Sequence, residues 1–247
     1  MTRTRVGIMQ PYFFPYLGHF ALIAHVDHWY VFDITQYTPK TWMNRNRILH
    51  PVSGMQYLTV ALSNSSIGIR TCEAQILNRE SSRLSVLGKL SHYRRKAPYY
   101  KEVIRLVDDV FSSCDHDDLV NLNITGLQIV CRYLGIQFSF DVCSKMELNL
   151  TQPLSAGEWA PAICAAVGAK EYLNPMGGRH LFNEAAFSKQ GVVLQFLEYE
   201  KFVYKVPGYT FSPDLSVLDV LMWNSPGSVV QHIRHGAKVI SPKDIGC

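Results

Sequence analysis

No stretch of this chain stays apolar for the roughly 20 residues that a membrane-spanning helix needs, and its opening, MTRTRVGIMQPY, has neither the apolar segment nor the small-residue cleavage site of a secretory signal. The expected setting is therefore the cytoplasm, with no membrane partner. No two of the six cysteines (Cys72, Cys114, Cys131, Cys143, Cys164 and Cys247) make a CxxC pair. Reduced thiols are expected rather than disulfides or a zinc knuckle, and no metal site is evident. Charge of one sign is scarce as well: a net +4 is too small an excess for a dedicated nucleic-acid binder. GxSxG, HExxH, a Walker loop and a full GxGxxG are all missing, which disfavours several common enzyme classes. What remains, in 247 residues that are 47% hydrophobic, is enough to bury a large core.

Against this background the segment VGIMQPYFFPYLGHFALI, residues 6–23, stands out. It begins like a buried strand and ends like a helix, and at the join it carries Gln10, Pro11, Tyr12, Phe14, Pro15 and Tyr16 where Gly, Asn and Ser would serve a plain connection. Such crowding suggests a pocket rim. Strand 5–9, helix 18–28 and strand 29–33 form a βαβ unit with parallel strands, and ligands in such sheets sit at the carboxyl ends, where this segment lies.

Further strands are expected at 56–62, 73–77, 136–143 and 191–199, and helices at 80–95, 99–113, 117–134, 159–168 and 214–223. Asp115 is read as the cap of the third helix, and Gly135 as its end. The fold class is α/β: a mostly parallel sheet flanked by helices, with a nucleotidyltransferase-like βαβ start. All 247 residues are read as one domain, with a helical insertion at 80–135.

Several residues carry chemistry in this reading. In YLGH, Gly18 and His19 open a helix directly after a strand, so unpaired N–H groups there would welcome a phosphate. The tetrapeptide resembles the HxGH signature of HIGH-type nucleotidyltransferases, with Tyr16 in the first histidine's place; otherwise His19 is a structural residue at the helix start. Asp33 emerges from the second strand as a base or amine-orienting carboxylate, or as a turn residue. Asp27 is read as structural. The loop YTPKTWMNRNRI offers Trp42, Asn44, Arg45, Asn46 and Arg47: guanidiniums for phosphate oxygens, amides for a sugar hydroxyl or base edge. If extended, it sends the two asparagines to one side and the two arginines to the other.

His92, Lys96, Pro98 and Tyr99 make either an anion site or an ordinary basic helix end. Gly177 and Gly178, beside Arg179 and His180, let the backbone approach a ligand closely. The cysteines in apolar runs read as small core hydrophobes.

Taken together, IMQPYFFPYLGHFALI, VDHWYVFDITQYTPKTWMNRNRI, APYY and FSPDLSVLDVL resemble the WbqC-like protein family. That resemblance marks Gln10, Pro11, Tyr12, Phe14, Pro15, Gly18, Asp33, Trp42, Asn44, Arg45, Asn46, Pro98, Ser216 and Asp219 as motif positions. Relatives occur among genes for O-antigen and other surface polysaccharides, some beside carrier-protein systems, which implies modification of an amino sugar or another amine.

The resulting expectation is an N-acyl- or aminoacyltransferase that forms an amide on a nucleotide-linked amino sugar. Tyr12, Phe14, Tyr16 and Trp42 would line its pocket; Arg45, Arg47 and the Gly18 helix would hold a diphosphate; Asp33 or His19 would take the proton from the attacking ammonium. No tightly bound cofactor is expected. A carrier-protein thioester or ATP would be co-substrate, and an acyl or peptidyl carrier protein the macromolecular partner. Two alternatives stand beside it: ATP-dependent adenylyl transfer, and a non-catalytic protein that binds a glycan or a carrier.

Overall fold

The chain begins its sheet with β1 (Arg5–Met9), crosses through α1 (Leu17–Ala24) and returns in β2 (His28–Val31) parallel to β1. This is the βαβ unit anticipated from residues 5–33. The structure is a computed structural model that describes residues 4–150 and 153–244.

After β2 the chain makes a long excursion before it rejoins the sheet. It forms an antiparallel hairpin, β3 (Arg45–Leu49) and β4 (Met55–Thr59), and then three helices: α2 (Arg79–Leu90), α3 (Tyr100–Ser112) and α4 (Leu119–Leu134). The sheet resumes with β5 (Phe140–Val142), followed by α5 (Trp159–Ala166), β6 (Glu171–Pro175), α6 (Glu184–Ser188) and β7 (Val193–Tyr199). The chain closes with α7 (Val217–Trp223), α8 (Pro226–His235) and β8 (Ala237–Ile240).

The main sheet has six strands in the order β5-β2-β1-β6-β7-β8, parallel except for β8 at one edge. Numbered by their appearance within this sheet, the strands run third, second, first, fourth, fifth, sixth. That is the doubly wound order, whose topological switch point lies between β1 and β6.

Its central strands are buried on both faces, and the pleat divides their side chains between two cores. Trp29, Val31, Leu173 and Leu197 join the larger core with α1, α3, α4, α7 and α8; Val6, Ile8, Tyr30, Tyr172, Leu194 and Phe196 join a smaller one with α5 and Phe187. One continuous apolar cluster therefore carries the inserted helices onto the sheet.

Several boundaries differ from those expected. Residues 45–49, expected as loop, form β3, because Asn46 and Ile48 face inward while Arg45 and Arg47 face outward. Residues 73–77 form no strand: Thr71–Glu73 is a turn of 3-10 helix, and only isolated bridges join Ile76 to Leu62 and Gln75 to Asp118. The strand expected at 136–143 shortens to Phe140–Val142, pairing with β2 alone.

The cap of α4 is Asp118, not Asp115; its carboxylate accepts the Asn121 N–H at 2.7 Å. Gly135 closes that helix in the left-handed conformation, φ +66°, which glycine adopts without a Cβ penalty. Residues 214–216 lie outside α7, since Asp214 has φ +56°. The strands β6 and β8 and the helices α6 and α8 were not anticipated.

Candidate functional site

Residues 10–16 close over the carboxyl end of β1, and buried amides and a hydroxyl fix their path. The Asn46 amide donates to the carbonyls of Phe13 (3.1 Å) and Phe14 (2.8 Å), and its oxygen accepts the Arg47 N–H at 2.8 Å. Asn123 donates to the Pro11 and Met43 carbonyls, each at 2.8 Å. Ser216 caps α7 by accepting the Leu218 N–H, and its Oγ–H donates to the Phe14 carbonyl at 2.8 Å. Two backbone bonds complete the staple, Phe13 N–H to Trp42 O and Val217 N–H to Pro15 O. At its centre Phe14 holds φ +38°, a conformation that costs a non-glycine residue of order 1–3 kcal/mol unless its surroundings enforce it.

Beside this turn lies a cleft of about 1110 Å³. One flank comes from Ile8, Met9 and Gln10 at the end of β1, the opposite flank from Asn174, Pro175 and Met176 at the end of β6. It therefore sits at the switch point of the sheet, where doubly wound proteins hold their ligands. Aromatic side chains dominate its walls: Tyr12, Tyr16, Trp42, Trp159, Phe182 and Tyr199. The charged side chains on it are Arg47, Lys201 and Asp214.

The arginine is pre-oriented. Its guanidinium lies 5.0 Å over the Trp42 ring, and its buried Nε has no partner among the described residues. The N-terminus of α1 opens onto the cleft at Tyr16 and Gly18 with no side-chain cap. A Cβ on Gly18 would lie 2.4 Å from a carbon of the Tyr16 ring, so glycine is what lets that ring fold back over the helix start. Gly178 is similarly close to Asn174, whose Nδ2 would be 2.4 Å from an added Cβ.

Of the residues singled out in the sequence, Gln10, Tyr12, Pro15, Tyr16, Gly18, Trp42, Asn46, Arg47, Gly177 and Gly178 line this cleft. The rest do not reach it. Phe14 is turned inward by its positive φ and is 3% exposed, packed edge-to-face on Phe13. Pro11 is buried under the Asn123 bond. Asn44 ties the hairpin base to the Val60 carbonyl at 3.2 Å. Arg45 stacks on Tyr57 at 4.4 Å on the hairpin's outer face.

His19 is fully enclosed behind the wall, with the Trp29 ring at 4.9 Å and Tyr12 at 5.5 Å, and neither ring nitrogen has a partner among the described residues. Burial drives its pKa down to about 3, so the imidazole is neutral. Asp33 is buried at the carboxyl end of β2, where Ser144 grips it with its N–H (2.9 Å) and its hydroxyl. Burial raises its pKa and the Ser144 bonds oppose that rise. It joins the ends of β2 and β5, one residue behind the cleft residue Phe32.

His92, Lys96 and Tyr99 belong to a separate cluster. The His92 Nδ1 meets the Tyr209 hydroxyl at 2.8 Å, Lys96 lies 4.3 Å over the Tyr209 ring, and the Tyr99 N–H donates to the Met222 carbonyl. That cluster is organised by Asp219, a fully buried carboxylate that accepts from Tyr93, from Tyr204 (2.9 Å) and from the Leu49 N–H (3.1 Å). Burial raises its pKa against those donors.

Sequence reasoning missed Asn174, Tyr199, Lys201 and Asp214. Asn174 opens the glycine loop NPMGGRHLF without being singled out in it, and Asp214 lies in FSPDLSVLDVL, where the Pro-Asp pair marks a turn. Among the described residues, no group of three or more His, Cys, Asp or Glu could hold a metal ion, and no helix is long and apolar enough to cross a membrane.

Fold and cleft together define a doubly wound α/β protein with an aromatic, sparsely charged cavity at its switch point. The chain belongs to the WbqC-like protein family, whose profile matches residues 10–231. A relative from Mycobacterium tuberculosis, the uncharacterized protein Rv1507c, is 25% identical over 232 residues, which cover 94% of this chain and 98% of its own length. No solved structure matches.

Proposed function

We propose that this protein is a transferase that forms an amide on the amino group of a nucleotide-linked sugar, in the assembly of a surface polysaccharide such as O-antigen. One observation carries the reading: the cleft lies at the carboxyl ends of β1 and β6, with a helix start that has no side-chain cap and, on the same rim, an arginine stacked on Trp42 whose Nε has no partner among the described residues. Helix N-termini and arginine forks are the standard protein partners of phosphate oxygens, and aromatic walls suit a base and a sugar ring. The acyl or aminoacyl donor is a carrier-held thioester in this scheme. The backbone N–H groups of Gln10, Tyr12 and Tyr16 on the cleft rim are its candidate oxyanion donors, since Pro11 and Pro15 have none and that of Phe13 is bonded to Trp42. His19 and Asp33 support the wall rather than touch the substrate.

Adenylyl transfer from ATP is the weaker reading. It draws on YLGH, and the imidazole of that tetrapeptide is buried among aromatic rings and is not part of the cleft lining.

Calorimetric titration with UDP is the direct test. Binding is expected, and Arg47→Ala should weaken it about tenfold, the worth of one charge-assisted contact in a partly open site. Equal affinity of the variant and the parent for UDP, or no binding by either, removes the nucleotide from the proposal. Pyrophosphate release from ATP with a carboxylate present would transfer support to adenylyl transfer.

A further inference from the structure

Among the 27 residues that line the cleft there is a single carboxylate, Asp214. Acids at such a position are commonly consumed by a structural task, and each such task is already filled here. The cap of α7 is Ser216, whose Oγ accepts the Leu218 N–H, and Asp219 supplies the acid of the first turn. Neither cation of the cleft, Arg47 or Lys201, pairs with Asp214 among the described residues. The residue is exposed and lies on the lining of the cleft.

Its backbone, in contrast, is held firmly. Asp214 sits at φ +56°, and two residues later the chain is pinned by Ser216 N–H to the Arg47 carbonyl and Ser216 Oγ–H to the Phe14 carbonyl. Aspartate tolerates the left-handed region better than most residues, yet that conformation is not needed to start a helix that Ser216 already caps. The result is a carboxylate delivered to a fixed place on the wall.

Its neighbours are aromatic. Burial raises the phenol pKa of both Tyr16 and Tyr199; the Asp214 charge adds to this at Tyr16, and Tyr16 and Asp214 add to it at Tyr199. Both phenols therefore stay protonated beside the carboxylate; the Tyr199 hydroxyl is buried without a partner among the described residues, so that residue meets the cleft with its ring. A carboxylate on the same wall as two protonated tyrosines, one of them bridged through its backbone to Ser216 two residues on, is the kind of environment that attracts a cation through charge and ring quadrupole together.

We propose that Asp214, with Tyr16 and Tyr199, forms the subsite for a primary ammonium group, and so selects an amine over a hydroxyl at the reacting end of the ligand. This assigns Asp214 as a specificity-determining residue of the cleft. The phosphate-attracting groups, Arg47 and the start of α1, would then hold the far end of the same molecule. The inference rests on the reading that the cleft takes a nucleotide-linked amine, and the experiment separates the two.

Ligand-observed NMR or calorimetry on the intact protein would compare five probes, UDP-glucosamine, UDP-glucose, glucosamine, glucose and UDP, in the parent and in Asp214→Asn. The exposed position makes this an isosteric change that should leave folding intact, which a matched melting curve verifies. The expected result is that the parent prefers each amino sugar over its hydroxyl counterpart by about tenfold, as one charge-assisted contact predicts, and that Asp214→Asn levels the preference while UDP affinity is unchanged. Glucosamine is measured against glucose for the second pair.

A preference that survives in Asp214→Asn, or that is absent from the parent, overturns the ammonium subsite. If UDP fails to bind while the glucosamine preference is present and depends on Asp214, the subsite stands and the nucleotide reading falls. Tyr199→Leu provides a second measure: losing the aromatic face should reduce the amino-sugar preference and leave UDP binding as it was, and an unchanged preference would remove Tyr199 from the subsite.

Discussion

Asn44 and Asn46 look interchangeable in the sequence, two amides flanking an arginine, yet the fold uses them very differently. Asn46 is 4% exposed and makes three hydrogen bonds, two of them to the carbonyls on either side of the strained Phe14 linkage. Asn44 makes one, at 3.2 Å, and is half-buried. Replacing Asn46 by alanine strands an N–H and a carbonyl in a dry site and releases the restraint on φ at Phe14. At about 1 kcal/mol net for each bond, with more where a buried partner is orphaned, the cost should be about 2–4 kcal/mol. Asn44→Ala should cost about 1 kcal/mol.

In a chain of this size the larger loss lowers the melting temperature by about 10 °C, and urea unfolding gives the free energy directly. A further consequence can be checked with a cycle. Ser216 donates to the same Phe14 carbonyl, so once Asn46→Ala has let the turn relax, Ser216→Ala should remove little more. The double variant is expected to fall short of the summed losses by at least about 0.5 kcal/mol. Equal losses for Asn44→Ala and Asn46→Ala, or strict additivity of Asn46→Ala and Ser216→Ala, would refute the idea that these side chains jointly enforce the turn.

Acid sensitivity should map to His19. Its folded pKa is near 3 against an ordinary 6.5, so its contribution is complete above pH 6.5 and is lost as pH falls toward 3, because only the unfolded chain takes up the proton. The slope is about 1.4 kcal/mol per pH unit; in His19→Phe this part of the slope should vanish, and urea midpoints at pH 7 and 4.5 that fall equally in both proteins would contradict the assignment. Burial pushes the thiols of Cys131, Cys143 and Cys164 up to about 12. An aromatic disulfide reagent should leave those three unmodified in the native protein at neutral pH and reach them after unfolding, as peptide mass mapping would record.

Periodicity made the βαβ start and the three inserted helices legible, because each has a long amphipathic or continuously apolar pattern. The alternation of Asn44 and Asn46 against Arg45 and Arg47 was visible too, but its charged residues gave it the look of a loop until Met55–Thr59 supplied a partner strand. β6 escaped notice for the opposite reason. Glu171, Asn174 and Pro175 break the apolar run of a central strand, because its last residues belong to the cleft rather than to the core. The rim near β1 was readable from its aromatic density. The β7 end and Asp214 reach the cleft by tertiary contact alone, and no local pattern marks Tyr199 or Lys201. Cys247, noted among the thiols, lies outside the described residues.

The strand order also has a temporal side. In the sheet, Val6 pairs with Tyr172, and Trp29 pairs with Phe140. In a growing polypeptide β1 and β2 can pair with each other, but the outer edge of each stays bare until residues 172 and 140 have been made, more than half of the chain, while the helices made in between can already pack on one another. Contacts this distant along the chain slow folding and lengthen the interval in which bare strand edges can find a wrong partner. Truncation anywhere before residue 175 would leave β1 without its central neighbour, and newly made fragments of that length should depend on chaperones to stay in solution.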